Sequence, residues 1–223
     1  MIPLRDSTRS HGVPAVTWAL IALCGGAFWI ELTAGSGLDE LVYRHALIPA
    51  RLLGLIDRIG PFHVEVVSPL FTSMFLHDPD LEHYGCHLFG NMLFLWIFGD
   101  NVEDRFGHLG YLVFYLAGGA AAALVQVAAD PTSTVPTLGA SGAIAAVMGA
   151  YLVLYPHARI HSLVLLGFYV TTVEVPALLY LGLWFLLQVV HSGGDGGVAW
   201  WAHIGGFAFG VLAVCALGRS RRA

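Results

Sequence analysis

Three groups of residues in this chain have types and spacings that could carry chemistry. Gly139-Ala140-Ser141-Gly142 sets a hydroxyl among small residues, and Ala202-His203-Ile204-Gly205-Gly206 supplies an imidazole. His83-x3-His87-x3-Asn91 puts three polar side chains on one helix face by i,i+4 spacing. Serine is a poor nucleophile until a base accepts its proton, and an imidazole does so near neutral pH. Ser141 is therefore the candidate nucleophile toward a peptide carbonyl, and His203 the base that then protonates the leaving amine. No Asp or Glu lies near either in sequence, so the expectation is a dyad rather than a triad. The oxyanion of the tetrahedral intermediate needs donors. The backbone at Gly139 and Ser141, at the positive start of a helix, would supply some, and His87 and Asn91 the rest.

Taken singly, each group has a plainer reading. A serine among glycines is ordinarily close packing with its hydroxyl bonded back to the helix, and a lone His or Asn bonds across helices. Together, a Ser, a His and a separate donor pair at one depth are what nucleophilic catalysis requires.

The elements that must position them are set by an unusually apolar composition. The chain has 223 residues, 57% hydrophobic and only 11% charged, with mean hydropathy +0.73. A soluble domain carries roughly 25% charged residues, so water is not the main solvent here. The formal charge of −5 offers no field for nucleic acid, and an odd three cysteines (Cys24, Cys86, Cys215) argue against a disulfide scaffold. Six apolar stretches approach the length a bilayer demands: Val16–Ala34, His87–Phe98 with flanks, Leu109–Ala129, Leu138–Tyr155, Val175–Val190 with part of the preceding run, and Ala202–Leu217. The first stretch has no clear cleavage site after it and is expected to stay in the membrane. The run Ile160–Val190 is too long for one upright helix, and its first half is expected to lie at the interface before Glu174 and Pro176. Gly35 to Glu82 is the one long connection, expected to be partly helical.

Arginine placement orients the bundle. With the amino terminus inside, Arg5, Arg9, Arg105, Arg159, Arg219, Arg221 and Arg222 are cytoplasmic and Arg44, Arg51 and Arg58 external, which favours both termini inside. The three polar groups then share the external side. The expected fold is an all-α polytopic membrane protein, a six-helix bundle with a long external loop between its first two helices. The cytoplasmic tail is 1–15, the transmembrane domain 16–217 and the basic tail 218–223. Gly206 and Gly210, facing Gly142, Ala145, Ala146 and Gly149, would let two helix backbones approach closely. Glu103 and Arg105 read as capping and pairing between the second and third stretches.

From about Ala46 to Leu217 the residues resemble the rhomboid family of intramembrane serine proteases, six-span bacterial type. The resemblance rests on His87-x3-Asn91, Gly99-x3-Glu103-x3-Gly107, Gly139-Ala140-Ser141-Gly142 and Ala202-His203-x2-Gly206-x3-Gly210, in that order. It implies a Ser141–His203 dyad, an oxyanion pocket of His87, Asn91 and the Ser141 amide, no cofactor, and an external water-filled cavity. It also implies transmembrane protein substrates, cut where a helix unwinds near the outer boundary of the lipid bilayer. A bacterial inner membrane is the expected location, and nucleic acid is not an expected partner. Ala145 stands where some members carry an aromatic against the catalytic His, which leaves open what orients His203. The Trp-Arg pair of some first loops is absent, and about five extra residues sit in Asp78–Cys86.

Three alternatives compete. A zinc enzyme or metal transporter would use His77, His83 and His87, although no His-Glu-x-x-His is present. A non-catalytic rhomboid-like protein would bind transmembrane helices, but such proteins usually lack the Ser or the His. A plain transporter needs inverted repeats or charged midplane sites, and neither is found.

Overall fold

The computed structural model describes residues 1–79, 85–166, 169–194 and 198–218. His83 and the tail arginines Arg219, Arg221 and Arg222 lie outside the described residues. The chain opens with strand β1 (Ile2–Asp6) and helix α1 (Ala15–Thr33). The long connection is cut by Pro49, Gly60, Pro61 and Pro69 into short helices: α2 (Leu38–His45), α3 (Pro49–Ile59), α4 (Val64–Val67) and α5 (Pro69–Thr72). Then come α6 (Gly85–Phe106), α7 (His108–Ala129), α8 (Ser141–Leu154), strands β2 (Arg159–Leu166) and β3 (Tyr169–Pro176), α9 (Ala177–His191) and α10 (Trp200–Leu217).

Helices α1, α6, α7, α8, α9 and α10 fall on the six apolar stretches. Of these, α1, α7 and α10 are long and apolar enough to cross a membrane, while α8 and α9 are shorter apolar helices. Helix α6 has the length but ends on Asp100, Glu103, Asp104 and Arg105. Every residue from Gly142 to Tyr151 of α8 is buried, as befits a helix apolar on all sides. Around it pack Phe98, Tyr111, Tyr115, Ile160, Leu181 and Phe207.

To the all-α expectation the structure adds a three-stranded antiparallel sheet of order β1-β2-β3. The apolar run after Tyr155 is divided between a β-hairpin and α9, with β2 and β3 paired from Arg159↔Pro176 to Leu166↔Tyr169. Val, Ile and Thr are frequent in these strands, which suits a pleated surface, and Pro176 then starts the helix that β3 cannot continue. The first residues are likewise a paired strand: Ile2 faces Leu163 and Asp6 faces Ile160. Asp6 accepts hydrogen bonds from the Tyr151 hydroxyl and from Asn101 Nδ2, so the sheet closes the bundle at the far ends of α6 and α8. Burial there raises the Asp6 carboxyl above its ordinary range.

Two features set the helix positions. Helix α1 begins after Pro14 with no side-chain cap of its own. Glu103 supplies one from α6, accepting from Val16 N–H at 2.9 Å, Thr17 N–H at 2.8 Å and the Thr17 hydroxyl at 2.7 Å. Its contact with α7 is Nδ1 of His108, the first residue of that helix, at 2.6 Å, so the expected tie between the second and third stretches is joined by a larger one to the first. The second feature is the contact of α8 with α10. A Cβ on Gly206 would stand 2.1 Å from the Gly142 carbonyl oxygen, and one on Gly210 2.0 Å from that of Ala146. Neither oxygen can move without bending a buried helix.

Gly206→Ala and Gly210→Ala should each lower stability by about 1–3 kcal/mol, read as a lower melting temperature in detergent. Gly25→Ala on α1, where nothing lies within 4 Å of the new methyl, should leave the melting temperature unchanged or raise it.

Candidate active site

Ser141 is the first residue of α8 and His203 lies in the first turn of α10. Because the two backbones touch just below, their amino-terminal ends meet, and His203 Nε2 stands 2.8 Å from Ser141 Oγ. The Ser141 N–H belongs to the first helical turn, whose donors have no partner within the helix.

The other face of the imidazole is occupied as well. His203 Nδ1 is 2.8 Å from Gln188 Oε1 on α9, and Gln188 Nε2 donates to the Trp184 carbonyl at 2.8 Å. The Trp184 ring lies 5.8 Å from the imidazole with a 37° tilt, and Trp200 meets it edge-on at 6.1 Å. These two indoles flank His203 in a chain whose position four beyond Ser141 is Ala145. From α7, Gln126 Oε1 accepts the Ala202 N–H at 3.1 Å and so holds the start of α10.

On the opposite side of Ser141 the chain passes through Gly139 at φ +120°, a conformation that L side chains rarely adopt. Space demands glycine there too. A Cβ would stand 2.9 Å from His87 Cε1, 3.3 Å from His87 Nε2 and 3.8 Å from Asn91 Nδ2. Gly139 N–H donates to the Ser73 carbonyl at 2.9 Å, so this backbone donor, expected to meet the oxyanion, is already engaged in the loop, and a two-bond bridge between Leu47 and Thr137 ties the preceding loop to the α2–α3 connection. His87 and Asn91 thus reach the backbone two residues before Ser141.

Asn91, buried on α6, is held by His77 from the coil after α5: Asn91 Nδ2 lies 3.2 Å from His77 Nε2. His77 Nδ1 is 3.2 Å from the Phe75 carbonyl, which can only accept. The His77 proton therefore sits on Nδ1, and Nε2 accepts from Asn91. Burial, with His87 adding to it, pushes His77 down to about 4 and keeps the ring neutral. Its backbone N–H donates to both oxygens of the buried Glu31 carboxylate, at 3.1 and 3.0 Å.

Of the residues singled out in the sequence, Ser141 and His203 are brought into hydrogen-bonding distance, Gly139, His87 and Asn91 gather beside them, and Gly142, Gly206 and Gly210 line the helix contact beneath. Gln188, Gln126 and Glu31 escaped the sequence reading, and His77 entered it only as a metal-ligand candidate. A signal was present: each of the first three is a polar residue inside an apolar helix, where such residues are costly and need a partner.

A family profile described as Rhomboid domain matches residues 65–220. The chain is 33% identical over 144 residues to the Rhomboid protease GluP of Bacillus subtilis (strain 168), covering 64% of this chain and 26% of that protein. It is 31% identical over 137 residues to Rhomboid protein 1, mitochondrial, of Saccharomyces cerevisiae (strain ATCC 204508 / S288c), covering 56% and 36% of the two. With RHOMBOID-like protein 12, mitochondrial, of Arabidopsis thaliana it shares 31% identity over 173 residues, 68% of this chain and 47% of that protein. The chain thus spans less than half the length of each of these relatives. The matched segment takes in Ser141, His203, His87, Asn91 and every long helix but α1, and with its apolar helices the chain belongs to the rhomboid family of integral membrane proteins.

Proposed function

We propose that the chain is an intramembrane serine endopeptidase that cuts transmembrane segments of other membrane proteins near the external face. The observation that carries this reading is the 2.8 Å contact between Ser141 Oγ and His203 Nε2 at the meeting point of two apolar helices. Ser141 Oγ attacks the scissile carbonyl while His203 Nε2 takes its proton. The oxyanion is met by the Ser141 N–H at the positive end of α8, with Gly139 shaping the pocket and His87 and Asn91 as side-chain donors. His203 then gives its proton to the leaving amine, and the C–N bond breaks to leave an acyl-serine. Water that loses a proton to the same ring hydrolyses the ester and restores the hydroxyl.

The substrate carbonyl must be exposed for this to occur. A stable transmembrane helix keeps its carbonyls bonded, so the preferred substrates carry small or helix-breaking residues near the outer boundary. In the topology we favour, α1 and α6 to α10 all cross the membrane, the shorter α8 and α9 within the bundle, and both termini are cytoplasmic. Arg5, Arg105 and Arg159 all lie at the sheet-capped end of the bundle, opposite Ser141, which supports that arrangement. A bacterial cell membrane is the proposed location.

Reconstituted in liposomes, the protein should cleave a model transmembrane substrate, and Ser141→Ala or His203→Ala should each abolish cleavage while the melting temperature stays within a few degrees. Full cleavage by the Ser141→Ala variant would end the proposal. If neither the wild type nor any variant cleaves yet all capture the substrate helix, a non-catalytic helix-binding protein is the correct reading.

Asn91→Ala should reduce kcat about 10²-fold, the usual scale for one oxyanion donor. His77→Phe, which removes the acceptor holding Asn91, should reduce it by a smaller factor. Equal turnover in all three proteins, measured by fragment release under substrate saturation, would remove Asn91 from the oxyanion role.

A further inference from the structure

Resting on the serine–histidine reading above, we propose that Gln188 is the positioning residue for His203, so that the site works as a Ser141–His203 pair whose imidazole is oriented by Gln188 and not as a bare dyad. Gln188 is 6% exposed in an apolar run, Leu186-Leu187-Gln188-Val189-Val190, of α9. A buried amide there is costly unless both its ends are satisfied. Both are. Nε2 donates to the Trp184 carbonyl, which can only accept, and this turns Oε1 toward the imidazole. An acceptor facing Nδ1 requires a proton on Nδ1. Nε2 is then left with a bare lone pair aimed at Ser141 Oγ–H, which is the tautomer a general base must have. The orientation of the amide on α9 thus decides which nitrogen of the ring on α10 is basic.

The arrangement has a chemical consequence. A carboxylate in this place would stabilise the imidazolium that forms during attack, whereas a neutral amide orients the ring and adds no charge to an apolar site. Among the described residues, Ser141 from α8, Gln188 and Trp184 from α9 and Trp200 from α10 meet the ring, and the titratable group that acts on it electrostatically is His87 from α6. A carboxylate introduced at position 188 would therefore be the nearest anion to His203 among the described residues.

The test measures kcat, KM and the pH profile of transmembrane-substrate cleavage in liposomes for wild type, Gln188→Leu and Gln188→Glu, with melting temperatures alongside. Gln188→Leu keeps the bulk but loses the acceptor, and should lower kcat about tenfold or more with KM within twofold. Gln188→Glu restores an acceptor; it should recover part of that loss and move the acid limb of kcat to higher pH by about one pH unit. A merely structural role would lower the melting temperature of both variants and leave the acid limb in place. Wild-type kcat in Gln188→Leu, or an unmoved acid limb in Gln188→Glu, would overturn the assignment. Failure of the wild type to cleave would instead overturn the protease reading on which the assignment rests.

Discussion

Two helix backbones in direct contact govern the geometry of this protein. Helices usually pack with axes about 8–10 Å apart because side chains stand between them. Between α8 and α10 the carbonyl oxygens of Gly142 and Ala146 stand only 2.1 and 2.0 Å from where Cβ atoms of Gly206 and Gly210 would be, too close for any side chain. Ser141 and His203 sit in the first turns of those helices, so any widening of the contact passes straight into the Oγ–Nε2 distance. Burial of α8 on all sides makes that contact stiff.

Around this rigid pair, the polar groups of an apolar interior act as ties. Glu103 caps the start of α1, and Glu31 near its other end holds the His77 backbone, whose ring holds Asn91. Helix α1 is thereby a strut of 19 residues, about 28 Å at 1.5 Å per residue, bonded at both ends to segments that reach the α6 side of the site. Gln126 and Gln188 do the same on the α10 side. Unpaired, each of these groups would be a liability in hydrocarbon; paired, each fixes a direction as well as a distance.

The sheet serves a different end. Strands β1, β2 and β3 cover the cytoplasm-facing ends of α6 and α8 in the proposed topology, about 15 Å from Ser141 as judged from the ten-residue rise to Tyr151. Its Asp6–Tyr151–Asn101 contacts knit the first residues of the chain to two core helices. What reads as a tail is part of the fold because its backbone found an edge to pair with.

The six apolar stretches, the Ser141 and His203 that meet at 2.8 Å, and the small faces of α8 and α10 were legible in the sequence, because burial in lipid leaves few polar residues and makes each conspicuous. The hairpin at 159–176 was not, since an apolar run of that length suits a strand pair or a helix segment equally by periodicity. Gln188, Gln126, Glu31 and His77 were invisible as partners: their pairings span from 14 residues, for His77 with Asn91, to 76, for Gln126 with Ala202, and no spacing rule reaches so far. The sequence by itself determined which residues must leave water and which side chains hold reactive atoms, because these follow from composition and local periodicity. Only the tertiary structure decided which nitrogen of His203 faces the serine, for that depends on an amide delivered by another helix.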